Sequence, residues 1–234
     1  MDNVLFLDIE TIPTTRPDVR EYIAASVEHP GNISKPETIA AWNAEKRPAA
    51  VEDAVSRTSL DGAFGQVCVV GVAGWHDEPT ALFDLNWNSG GEAALLVDLN
   101  AELNRRIAKS DLFTTTIVGH NVSAFDLRFL LQRYIVNGIK PHIAIHRAAQ
   151  AKPWESDKVY DTMVQFAGVG NRISLDKLCL AFGMPGKGDM DGSKVWPMVR
   201  DGMILKVVDY CKDDVRKTRA AYRRMTFTEL ADAA

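Results

Sequence analysis

Cysteine is scarce in this 234-residue chain: Cys68, Cys179 and Cys211 form an odd, widely spaced set with no C-x-x-C pair. Neither a disulfide framework nor a thiolate zinc site is suggested, and the pattern suits a reducing cytosol, so a cytoplasmic location is expected. No apolar run reaches the ~18 residues of a membrane span. The start, MDNVLFLDIE, lacks the basic leader of a secretory signal. No membrane partner is therefore expected. Positive charge is not in excess either: 27 Lys and Arg stand against 31 Asp and Glu, for a formal net charge of −4. That excludes a basic coat gripping nucleic acid over the whole surface. It leaves room for an enzyme that holds a nucleic acid locally. No internal repeat or low-complexity tract is present.

What remains is an ordinary globular composition, 46% hydrophobic and 25% charged. Residues 4–9 read as a buried strand, ended by polar residues and Pro13. Residues 13–65 are rich in Pro, Ala and charge and read as a helical insertion, with helices over 18–26 and 36–46. Strands are expected over 66–73, 80–85 and 112–118. Helices are expected over 92–109, 124–136, 174–182 and 203–225, the first from the stripe Leu95, Leu96, Leu99, Leu103 and Ile107. Residues 183–197 read as a mobile surface loop, and 141–157 carry no clear pattern. The mixture favours an α/β fold, a mixed sheet with helices on its faces.

Three carboxylate clusters stand out. Asp8 and Glu10 are two apart at the end of the first strand and point to one face. Two adjacent carboxylates repel, which a strand end does not need for stability, whereas a hard divalent cation would favour the pair. The second cluster, GHNVSAFDLRFL, places Asp126 in the first turns of a helix after a Gly-His-Asn turn. A lone acid there is equally explained by the helix dipole, but that does not account for the accompanying Asn121 and Phe125. In the third, YCKDD, Tyr210 and Asp214 are four apart and share a helical face. An exposed charged turn would read the same way. The basic residues of the last helix, Arg216, Lys217, Arg219, Arg223 and Arg224, read as a solvated face sooner than as a phosphate track.

Taken together, in order and spacing, the clusters resemble the DEDD superfamily of 3′–5′ exonucleases: FLDIET the first motif, HNVSAFD the second, Tyr210-x-x-x-Asp214 the third. The third motif is the tyrosine version, because the histidine version needs His five residues before the Asp and Asp209 stands there. The chain is most similar to a family of stand-alone exonucleases that look like the proofreading domain of family B DNA polymerases, and SLDKLCLAFGMPGK resembles a segment between their second and third motifs. The resemblance implies an RNase H-like mixed β-sheet flanked by helices, with the helical insertion after the first strand. It implies hydrolysis assisted by two divalent cations, Mg2+ or Mn2+, roughly 3.5–4 Å apart. Asp8, Glu10, Asp126 and Asp214 would be metal ligands, and Tyr210 would orient the attacking water. Asn121, Phe125, Thr11 and Ile12 would contact the terminal nucleotide, and Asp161 would have a supporting role. The implied substrate is the 3′ end of DNA, single-stranded by preference, and the product a nucleoside 5′-monophosphate.

Two rivals stay open. An exoribonuclease could use the same scaffold, because only a few contacts read the 2′-OH. A catalytically weak nucleic-acid-binding module is the other, against which the intact carboxylates and Tyr210 argue. The chain ends about twenty residues after Asp214, so a single exonuclease domain over 1–234 without a polymerase domain is expected.

Overall fold

The computed structural model describes residues 3–228 apart from 153, 187 and 189. Lys187, the last residue of the SLDKLCLAFGMPGK segment, and part of the expected 183–197 loop thus lie outside the described residues. Five strands form one sheet: β1 (Val4–Ile12), β2 (Gln66–Ala73), β3 (Thr80–Phe83), β4 (Thr116–Gly119) and β5 (Val159–Asp161). Their order is β3-β2-β1-β4-β5. β1–β2 and β2–β3 are antiparallel, while β1–β4 and β4–β5 are parallel. The described helices are α1 (Pro17–Ser26), α2 (Pro36–Glu45), α3 (Arg47–Ser56), α4 (Glu92–Arg106), α5 (Asp126–Val136), α6 (Ile143–Ala149), α7 (Thr162–Ala167), α8 (Leu175–Ala181), α9 (Val195–Arg200) and α10 (Ile204–Met225).

Strand alternation sorts β1 onto two faces. Leu5, Leu7 and Ile9 join the larger core, with Leu96, Leu99 and Leu103 of α4, Leu127 and Leu130 of α5, and Ile145 of α6. Phe6 faces the other way, against Ala73, Val118 and Val215 of α10. Asp8 follows Phe6 by two and so turns toward α10. Beyond it the β1–β2 register slips between Glu10 and Thr11, leaving Cys68 as the extra residue of a bulge whose thiol donates to the Glu10 carbonyl at 3.4 Å.

Three expectations are corrected here. The stretch 183–197 is not all loop. A 3-10 turn at Gly192–Lys194 leads into α9, whose Val195 and Val199 are buried with Val207 and Cys211 of α10. Six residues are too few to show a helical period, and Pro197 lies in the first turn, where a missing N–H costs nothing. β4 is shorter than 112–118 because Thr115 Oγ1 donates to the Asp111 carbonyl at 2.8 Å, holding that stretch in a turn. The unpatterned 141–157 contains α6. Basic residues of α10, expected as a solvated face, are engaged by neighbouring parts of the chain. Arg216 pairs with Glu78, Arg219 donates to the Gly74 and Asp77 carbonyls, and Arg223 donates to Trp75 and lies over its ring.

The segment 13–65 folds as α1, α2 and α3, each with Pro in its first turn, followed by a 3-10 turn at Arg57–Leu60. Val19, Ile23 and Val55 form its own small core. It is fastened to β1 where Thr11 Oγ1 donates to the Ser59 carbonyl at 2.6 Å and the Thr14 N–H to Thr58 Oγ1 at 2.8 Å. Its far end is fastened by a buried ion pair that the sequence did not disclose. Arg133 binds Glu92 at 2.7 Å and also donates to the Gly62 and Ala63 carbonyls, while Glu92 accepts from the Val67 N–H at 2.8 Å. Arg133→Met should strand the Glu92 carboxylate, a loss of about 3–5 kcal/mol. A thermal melt should fall by roughly 10 °C; a melt within about 2 °C of wild type would show that the pair contributes little.

Candidate active site

β4 pairs only with Val4, Leu5 and Phe6 of β1 before ending at Gly119. The β1 edge beyond it is therefore open to a side chain. The turn after Gly119 returns the chain along that edge, and the Ile9 N–H donates to Asp126 Oδ1 at 3.0 Å. One backbone hydrogen bond thus seats the Asp126 carboxylate beside the residue that separates Asp8 from Glu10. An acid at the start of α5 has this use in addition to any interaction with the helix dipole.

The turn itself is held by Asp161 at the end of β5. Its carboxylate accepts from the Asn121 N–H at 2.9 Å and the Ser123 N–H at 3.0 Å, and caps α7 through the Met163 N–H at 3.0 Å. Asn121 adopts φ 61°, a left-handed backbone that Asn tolerates better than most residues. The Asp161 clamp fixes that conformation. His120 bridges outward: Nδ1 lies 3.0 Å from Thr162 Oγ1, and Nε2 donates to the Ile173 carbonyl at 2.9 Å.

α10 supplies the third side. A Cβ on Gly71, the β2 residue directly opposite Asp8, would stand 2.9 Å from both Cys211 Sγ and Val215 Cγ2. Only glycine lets the helix approach this closely, and the Cys211 thiol donates to the Asp8 carbonyl at 3.6 Å. Tyr210 and Asp214 are thereby brought over β1. Gly71→Ala should push α10 outward, with a stability loss of about 1–3 kcal/mol and a fall in turnover of roughly tenfold or more, as reacting groups are displaced by fractions of an ångström. A folded Gly71→Ala protein with wild-type turnover would show that this close approach does not matter.

These elements enclose a cleft of about 620 Å³. Asp8, Asn121, Tyr210 and Asp214 line one side of it; His120, Met163, Arg172, Ser174, Asp176, Met190 and Asp191 are also on its walls. Glu10 and Asp126 are buried behind that lining, at 8% and 4% exposure. The side chains of three other expected substrate contacts are not among the residues lining the cleft. The Ile12 side chain is fully buried in the α9–α10 core, and the Thr11 hydroxyl is occupied by Ser59. Phe125 packs on Phe129, with ring centroids 5.6 Å apart, against the main core. No residue of 13–65 is among those lining the cleft; its far wall comes from 172–176 together with Gly188 and 190–192. In the sequence, that wall carried only the resemblance of the SLDKLCLAFGMPGK segment and the expectation of a surface loop after it.

The electrostatics of the cluster are unfavourable without a counter-charge. Burial first, and then the charges of Asp161 and Asp214, push the Asp126 carboxyl up to about 7, against the lowering effect of the Ile9 N–H. Carboxylate oxygens of Asp8 and Glu10 and the Cys211 sulfur lie within 4.8 Å of one another. Burial and the neighbouring carboxylates raise the Cys211 thiol well above its ordinary value. It therefore stays protonated, and the oxygen donors of this set suit a hard divalent cation.

A family model described as "Predicted 3'-5' exonuclease related to the exonuclease domain of PolB" matches residues 60–231, most of the chain, and the chain belongs to that family. The family is one of hydrolases, and its activity implies a nucleic-acid substrate. Among solved structures, the family B DNA polymerase from the hyperthermophilic archaeon Pyrobaculum calidifontis is similar, with a TM-score of 0.56 at 17% identity. The match covers 96% of this chain and 24% of the polymerase, so the chain spans about a quarter of that protein's length. The likeness shows the fold, an α/β arrangement of the RNase H-like kind. No curated protein matches the chain. Among the described residues, no helix is long and apolar enough to cross a membrane.

Proposed function

We propose that the chain is a cation-dependent 3′–5′ exonuclease that trims single-stranded DNA from its 3′ end and releases nucleoside 5′-monophosphates. The observation that carries this reading is the hydrogen bond from the Ile9 N–H to Asp126, which joins the first two carboxylate motifs at the point where α10 delivers Asp214. The family's relation to a DNA polymerase exonuclease supports DNA as the substrate. A cleft of about 620 Å³ has the size of a small-ligand pocket; it suits the end of one strand rather than a duplex.

Asp8, Glu10, Asp126 and Asp214 fit two Mg2+ or Mn2+ ions by their donor chemistry. Such ions, when bound, supply neutralisation of phosphate charge and acidification of water. The remaining roles belong to the chain. The Tyr210 hydroxyl orients the attacking water toward phosphorus; the water gives up a proton to solvent as the bond from phosphorus to the preceding 3′ oxygen breaks, and that oxygen takes a proton from solvent to become the new 3′ hydroxyl. The Asn121 amide hydrogen-bonds the terminal sugar or phosphate. Thr11 and Ile12 contribute through their backbone beside the terminal nucleotide, and the Phe125 ring offers a stacking edge.

Tyr210→Phe keeps the ring and removes the hydroxyl. Positioned groups of this kind contribute about 10²–10⁴-fold, so kcat should fall within that range while KM changes little. An unchanged kcat would remove Tyr210 from the mechanism. The substrate assignment is tested by digesting matched DNA and RNA oligonucleotides, with chromatography of the products. Faster release of deoxynucleoside 5′-monophosphates supports the reading. A preference for RNA would make the chain an exoribonuclease, and binding without cleavage would make it a binding module.

A further inference from the structure

The cleft is overwhelmingly acidic, although its proposed substrate is a polyanion. Asp8, Asp176, Asp191 and Asp214 line it, and Glu10 and Asp126 lie behind. Two divalent cations would balance the formal charge of the four motif carboxylates and leave nothing over for the phosphates of the strand. Among the described residues lining the cleft, Arg172 is the one Arg or Lys. Its side chain is exposed, and no described carboxylate pairs with it.

The position of Arg172 is set from both sides. The Ile173 carbonyl, next in the chain, accepts from His120 Nε2 at 2.9 Å. Just beyond, Ser174 Oγ accepts from the Lys177 N–H at 3.2 Å and starts α8. On the other side Asn171 is tied back to Ala167 and Gly168. His120 immediately precedes Asn121, so one imidazole connects the turn that carries the proposed sugar contact to the segment that carries the guanidinium. This gives His120 a purpose that its sequence context does not supply.

We infer that Arg172 is a strand-binding residue: its guanidinium holds a backbone phosphate of the single strand on the wall facing the carboxylates, in a register set by the His120–Ile173 hydrogen bond. A guanidinium matches two phosphate oxygens at once, which a lysine ammonium does not. The inference rests on the exonuclease reading. It adds a contact that acts on binding rather than on bond breaking.

The test compares Arg172→Gln and Arg172→Lys with wild type. Binding of a fluorescent oligothymidylate is followed by anisotropy in an Asp8→Asn background over a salt series. KM and kcat are measured in otherwise wild-type protein with Mn2+. Loss of one phosphate contact should weaken binding about tenfold and reduce the slope of log affinity against log salt by about 0.7. KM should rise by a similar factor with kcat within about twofold. Arg172→Lys should restore the salt slope but only part of the affinity. An unchanged slope and KM in Arg172→Gln would overturn the inference while leaving the exonuclease reading intact. A fall in kcat at constant KM would also overturn it, by making Arg172 a transition-state group. If wild type neither binds nor cleaves the oligonucleotide, the exonuclease reading fails and this inference fails with it.

Discussion

Asp8→Asn is expected to lower turnover by roughly 10³-fold or more, because it removes the acid that faces both the cleft and the buried carboxylates. A Lewis-acid position supplies several kcal/mol of charge stabilisation, and each 1.36 kcal/mol is about tenfold in rate. The change is nearly isosteric. Asp8 keeps its backbone pairing with Gly71, and its carbonyl still accepts from Cys211. Circular dichroism and the thermal melt should therefore match or exceed wild type, since one repelling charge has gone. A variant with near-normal turnover would show that the chemistry lies elsewhere. A variant that fails to fold would show that Asp8 also maintains the sheet.

Asp126→Asn should separate function from stability more sharply. The amide oxygen still accepts from the Ile9 N–H, so the junction between motifs survives, while a donor for the cation is lost. Activity should fall by a similar factor. Stability should move the other way, with a defined pH dependence. Folding raises the Asp126 carboxyl from its ordinary 3.8 to about 7. The folded state therefore binds this proton more tightly than the unfolded chain does, and wild-type protein loses stability as pH rises from about 4 to about 7. Above that window the penalty is constant, on the order of 2–4 kcal/mol. At about pH 8 without divalent cations the variant should melt roughly 5–10 °C above wild type. The gap should narrow as pH falls to about 4 and vanish below that, where the wild-type carboxyl becomes neutral in the unfolded state as well as the folded one. Added Mn2+ should raise the wild-type melt more than that of the variant, because a ligand that binds only the folded state stabilises it. A gap independent of pH would mean that Asp126 is not the strained acid of the cluster.

Where the chain repeats a strong period over many residues, the sequence was enough to place it. β2 is a near-continuous apolar run, and α4 and α10 carry long stripes or faces; all three are found within a few residues of their expected bounds. Proline in the first turn marked α2 in the same way. Short elements left no such trace. β5 has three residues, and α7 and α9 have six each, stabilised by contacts from distant parts of the chain. The site divides similarly. Asp8, Glu10, Asp126, Tyr210 and Asp214 stood out only jointly, because their order and spacing resemble the three exonuclease motifs, whereas each cluster alone has a bland structural reading. What joins them was not legible: the Ile9 N–H to Asp126, the Asp161 clamp on Asn121 and the absence of a side chain at Gly71 are all long-range relations. Ile12 shows the opposite limit. The family resemblance implied a substrate contact here, but the bulge after Glu10 and packing against α9 place its side chain in the core.

Three chain segments carry the four carboxylates proposed to hold divalent cations and to shorten a nucleic-acid strand from its 3′ end. A time course on 5′-labelled single-stranded DNA, with Mn2+ or Mg2+ and with EDTA, tests that role most directly. The expected result is a ladder that shortens one nucleotide at a time with either cation, no shortening in EDTA, and none on that time scale for Asp8→Asn. Release of the 5′ label as a mononucleotide at the outset, or equal shortening in EDTA, would contradict it.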